Sequence, residues 1–113
     1  MEKFMLIFQG GRDPSASPEL MQKQMGKWMA WIEKLNAAGK YVAGEPLTPG
    51  GKLITGKNKT VTDGPFTEGK EVVGGFFIIK AENFDEAVKI CDDYPSFENG
   101  GSIQVRQVMK MDM

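Results

Sequence analysis

Lys3-Phe4-Met5-Leu6-Ile7-Phe8-Gln9 carries five consecutive apolar residues and then stops at Gly10-Gly11. A half-exposed strand alternates apolar with polar residues; an unbroken run reads instead as a strand buried on both faces, central in its sheet. Val72 to Lys80 repeats the pattern around Phe76-Phe77-Ile78-Ile79 and reads as a second interior strand. These two runs set the frame, and the rest of the chain is placed around them.

After the first run, Ser17-Pro18-Glu19 supplies an N-cap, proline at the first helical position and an acid in the first turn. Gly39 supplies a left-handed C-terminal stop, so a helix of about six turns fits between. Met21, Met25, Trp28, Ile32 and Leu35 form one apolar stripe, widened by Leu20, Met29, Trp31 and Ala38, as for a helix laid across a sheet. Tyr41 to Leu47 reads as a strand broken by Pro46 and the Pro49-Gly50-Gly51 turn. Lys52 to Thr55 and Thr60 to Asp63 read as a hairpin, its tip Gly56-Lys57-Asn58-Lys59 rich in lysines of the kind that guard a sheet edge. Asn83 with Glu86 makes a capping box for a shorter helix with Phe84, Ala87, Val88 and Cys91 on its apolar face, ended by Pro95. Ser102 to Val108 is the last strand, and Met109 to Met113 reads as a frayed tail.

The order is that of an α+β, ferredoxin-like β-α-β-β-α-β fold with an inserted hairpin: four antiparallel strands backed by two helices on one face. The 113 residues suit one domain spanning 1–113. Because the central runs put apolar side chains on both faces, the face without helices also needs cover. A second copy of the chain is the simplest cover, which predicts a homodimer packed sheet to sheet.

Composition narrows the chemistry. With 14 Lys and Arg against 15 Asp and Glu, the net charge of -1 gives no general attraction to nucleic acid or anionic lipid. No apolar run is long enough to span a membrane and no signal-peptide pattern follows the first one, so a cytoplasmic location is expected. The chain has no histidine, which removes Ser-His-Asp and Cys-His nucleophile systems and HExxH zinc sites. No metal and no cofactor is expected. Cys91, the one cysteine, sits in an apolar helical setting and reads as an inert core thiol.

The charged stretch Asp63-Gly64-Pro65-Phe66-Thr67-Glu68-Gly69-Lys70-Glu71 resembles the DGPFAETKE signature of the YCII-related family, departing from it at Thr67 and Gly69. The resemblance extends over nearly the whole chain. It implies the dimeric α+β barrel group and the DGPF branch, whose members are often encoded beside or joined to extracytoplasmic-function sigma factors. In some YCII-related proteins a first-helix histidine forms a dyad with an aspartate. Here that part of the helix reads Met25-Gly26-Lys27-Trp28-Met29, so the dyad has no counterpart.

The candidate ligand-binding residues are Glu45, Glu68, Lys70, Glu71 and Arg106, and Asp63 is the candidate catalytic residue, a carboxylate general base. Each has a plainer reading. Asp63-Gly64-Pro65 is good turn chemistry with Phe66 as a core plug. Arg106, one of two arginines, lies mid-strand between Val105 and Val108 and needs a ligand, solvent or an acidic partner such as Glu45. Gly10-Gly11-Arg12 stands where a phosphate loop would, without the GxGxxG or GK[ST] pattern. Trp28 and Trp31 suit either an aromatic ligand or the core. Asp92 and Asp93, at a helix C-terminus, suit solvent, a cation or a basic surface.

Three functions follow: a small-molecule-binding or regulatory accessory protein for a small anionic or aromatic ligand; an enzyme using a carboxylate base on a small organic acid or phenol; and an interaction module for a sigma-factor system.

Overall fold

The computed structural model describes residues 1–11, 15–48, 50–63 and 72–111. Its elements are β1 (Glu2–Gln9), α1 (Pro18–Ala37), β2 (Tyr41–Pro46), β3 (Lys52–Thr55), β4 (Thr60–Asp63), β5 (Val73–Ala81), α2 (Phe84–Ile90) and β6 (Ser102–Gln107). Two short 3-10 turns, Cys91–Asp93 and Phe97–Asn99, lie between α2 and β6. Four strands form an antiparallel sheet in the order β2-β5-β1-β6, while β3 and β4, among the described residues, pair only with each other. This is the expected ferredoxin-like order, with the two continuous apolar runs at its centre.

The helix ends follow local chemistry. Ser17 accepts a hydrogen bond from the Leu20 amide at 3.1 Å, with Pro18 opening α1. At the other end Gly39, at φ +70°, lets its own amide reach Asn36 O at 3.0 Å and the Lys40 amide reach Leu35 O at 2.9 Å. That pair of bonds is a Schellman stop. Asn83 caps α2 by accepting from the Glu86 amide at 2.9 Å.

The helix-side face of the sheet is sealed. Phe4, Leu6, Phe8, Phe77, Ile79 and Ala81 are buried there with Trp31, Leu35, Ala87, Cys91 and Tyr94. Phe8 is the hub: its ring stacks on Tyr94 at 5.3 Å and meets Phe77 edge-on at 4.9 Å and Trp28 at 5.0 Å. Each such ring stabilises the fold by roughly 1.5–3 kcal/mol through burial.

The apolar stripe of α1 needs correction. Trp31 and Leu35 are buried and Trp28 and Ile32 pack on the core, but Leu20, Met21, Met25 and Met29 are exposed. The inward line runs Gln24, Trp28, Trp31, Leu35. The two indoles are the widest groups on the helix and set its rotation, which turns the methionine row aside. Ala38, the C-cap, is exposed as well.

Gly11 and Gly101 are packing glycines. A Cβ on Gly11 would stand 2.8 Å from Ser96 Cβ, and one on Gly101 would stand 2.6 Å from the Tyr94 hydroxyl. The Gly10-Gly11 segment thus closes against the Ser96–Gly101 turn, which accounts for it without a phosphate.

Candidate functional site

Side chains alternate across a strand, so the register places on the uncovered face those residues that miss the core. One row across the sheet reads Arg106, Met5, Ile78, Ala43, and the next reads Gln104, Ile7, Phe76, Glu45. Met5, Ile7, Phe76 and Ile78 are only half-buried, so the expected burial of the central strands on both faces is not complete within one copy. They form an apolar floor two strands wide.

The charges around that floor are unevenly placed. Lys3 and Lys80 stand directly opposite each other on β1 and β5, and Arg106 faces Met5, the next residue along on the same face. All three are exposed. Like charges directly opposite are mutually destabilising. None of the three makes an ion pair among the described residues. Glu45 stands at the far corner, on the other edge strand. Arg106 and Glu45 are three strand spacings apart, about 14 Å, so they do not pair with each other within one chain.

Glu45 acts locally on Tyr41. Burial, with the Glu45 carboxylate second, raises the Tyr41 phenol above its ordinary pKa. Gly44 is required between them, since a Cβ there would meet Phe77 Cδ1 at 2.5 Å and the Tyr41 hydroxyl at 2.8 Å. Tyr41 itself packs edge-on against Phe77 at 5.2 Å on the core side, so it is not part of the uncovered face.

Asp63 lies elsewhere. It closes β4 on the hairpin, is exposed, and pairs with the Lys52 ammonium across the β3–β4 ladder. It therefore does not share the sheet face with Glu45 and Arg106. Glu68, Lys70 and Glu71, together with Gly64, Pro65 and Phe66, lie outside the described residues. An open depression of about 310 Å³ at the base of the hairpin is lined by Leu47, Thr48, Gly50 and Val73.

The remaining candidates resolve structurally. Burial first, and Asp92 second, push the Cys91 thiol up to about 11, and its Sγ donates to Ala87 O at 3.4 Å, which fits an inert thiol. Asp93 pairs with Lys34 at 2.7 Å. Trp28 and Trp31 belong to the core cluster, where Trp31 Nε1 donates to Ile90 O at 3.2 Å. Gln24 Oε1, one turn before Trp28, is buried with no hydrogen-bond partner, a feature sequence gave no hint of. No group of three or more metal-ligating side chains occurs among the described residues, and none of their helices is long and apolar enough to cross a membrane.

The family model for the YCII-related domain matches residues 4–112. No curated protein matches the chain. Among solved structures, it is similar to 5-chloro-2-hydroxyhydroquinone dehydrochlorinase (TftG) from Burkholderia phenoliruptrix AC1100, in complex with 2,5-dihydroxybenzoquinone. The identity is 20%, the TM-score 0.49, and the likeness covers 95% of this chain and 93% of that one.

Proposed function

The chain belongs to the YCII-related family, and from that premise we propose that it is a homodimeric accessory protein that binds a small anionic or aromatic molecule between paired sheet faces. One observation carries the reading: the uncovered face joins an apolar floor, Met5, Ile7, Phe76 and Ile78, to three cations, Lys3, Lys80 and Arg106, that make no ion pair among the described residues. An aromatic acid or phenolate suits both parts, its ring on the floor and its oxygens toward Arg106 and Lys80. A second copy excludes water from the floor, which strengthens each charge contact.

A carboxylate-base enzyme is less well supported, because Asp63 pairs with Lys52 on the hairpin, away from this face. The regulatory side of the proposal, with the DGPF branch and association with an extracytoplasmic-function sigma factor, rests on the Asp63–Glu71 signature alone, and the cytoplasmic location rests on the shortness of the apolar runs.

A thermal-shift screen of small aromatic acids and phenols tests the binding. A hit should raise the melting temperature of the wild type, since a ligand that binds only the folded state stabilises it. Arg106→Met keeps most of the apolar stem and should weaken that hit about tenfold. Equal shifts for the two proteins would remove Arg106 from the site.

A further inference from the structure

The uncovered face of the sheet carries opposite charges on its two edges. Val105 packs on the core, so Arg106 beside it turns to the uncovered face of β6. Gly44 faces Phe77 on the core side, which turns Glu45 to the uncovered face of β2. These strands are the opposite edges of the sheet, about 14 Å apart. Arg106 and Glu45 are both exposed, and neither makes an ion pair among the described residues. Between them lies the apolar floor of Met5, Ile7, Phe76 and Ile78.

A face built in this way is complementary to itself. A two-fold axis between two such faces, parallel to the strands and midway between β1 and β5, exchanges the edges, so that β6 of one copy crosses β2 of the other. Met5 and Ile7 then lie over Ile78 and Phe76 of the partner subunit, apolar on apolar. Arg106 lies over Ala43 of the partner subunit, one row from Glu45 of the partner subunit. With sheets about 10 Å apart and rows about 7 Å apart, the two Cα atoms stand about 12 Å from each other, a gap that an extended arginine and a glutamate span. An axis perpendicular to the strands sets Arg106 against Gln104 and Glu45 against Ala43, and no charge meets its opposite.

The parallel axis also gathers Lys3 and Lys80 of both copies at one end of the interface. They are exposed at the end of the sheet, where their stems splay into solvent and salt screens them. A bound anion neutralises that cluster, in keeping with the ligand class proposed above.

We infer that Arg106 of each copy pairs with Glu45 of the partner subunit, so that the partner completes the anion site. The carboxylate holds one edge of the guanidinium fork and leaves its remaining N–H groups for the ligand. Glu45 is thus a positioning residue supplied in trans. The inference rests on the sheet-to-sheet dimer proposed above and fixes its axis.

Complementary charge reversals test it. Glu45→Lys leaves each chain with cations on both edges, and Arg106→Glu leaves each with anions on both. Either variant alone should dimerise at least about tenfold more weakly than the wild type at low salt, with an unchanged circular dichroism spectrum. Mixed together, they place an opposite pair at both seams. Light scattering on the mixture should recover twice the chain mass, and tagged Glu45→Lys should retain untagged Arg106→Glu in equal amount. A wild-type dimer whose variants dimerise as well as it does, or whose weakened variants fail to recover on mixing, overturns the pairing and leaves the sheet dimer standing. A wild-type monomer overturns the sheet dimer and the pairing with it.

Discussion

The two faces of the central sheet are written by the same strands and differ in what closes them. On the helix side Phe4, Leu6 and Ile79 have no exposure at all, and aromatic rings lock against one another around Phe8. On the other side Met5, Ile7, Phe76 and Ile78 remain half-buried, and the neighbouring cations make no ion pair among the described residues. Adjacent residues therefore have different duties. Phe77 holds the monomer together; Phe76, next to it, is free to meet another molecule.

The sharpest way to break this contrast is to place the same charge on each face. Phe77→Asp should unfold the chain, because an unpaired buried charge costs several kcal/mol against a total stability of roughly 5–15 kcal/mol. Circular dichroism should show loss of cooperative melting. A well-folded Phe77→Asp protein would erase the distinction between the faces.

Phe76→Asp should do less to the monomer and more to the assembly. The secondary structure should persist, with at most about 1–2 kcal/mol lost from the half-buried site. Light scattering should then give the mass of one chain where the wild type gives two. A Phe76→Asp dimer would show that the floor is not the interface.

Cys91 sharpens the picture of the sealed side through pH. Its folded pKa, about 11, lies above the ordinary value of 9.0, because burial disfavours the thiolate. The sign follows: the group's contribution is fully present below about pH 9 and is lost as pH rises through the folded value, since the unfolded chain ionises first. The loss is on the order of 2–3 kcal/mol. Urea denaturation between pH 8 and 11 should show a shallower decline for Cys91→Ala than for the wild type, and parallel declines would place the thiol in contact with solvent.

Asp63→Asn should have the smallest effect. An exposed ion pair such as that with Lys52 is worth about 0–1 kcal/mol and is screened by salt. Its melting temperature should fall slightly at low ionic strength and match the wild type at high salt. If ligand binding also stays unchanged, Asp63 is part of the hairpin's architecture. A loss of binding with the fold intact would bring the hairpin into the site.

What the sequence determined by itself is the scaffold, and the reason is that its signals are local. Two unbroken apolar runs marked the central strands. Ser17-Pro18, Gly39 and Asn83 marked the helix boundaries through bonds to backbone groups within a few residues. The hairpin boundaries Lys52–Thr55 and Thr60–Asp63 follow from its turn residues in the same way. Only the tertiary structure decided which residues share a face. Met21 and Met25 fit the helical stripe as well as Trp28 does, yet competition for core space turned the helix by its tryptophans. Arg106 and Glu45 were candidate partners until the strand order set them on opposite edges of one sheet. Asp63 and Arg106 were candidates for one site by sequence, and the structure puts the hairpin apart from the sheet. Register and helix rotation arise from contacts distant along the chain, and no local pattern encodes them.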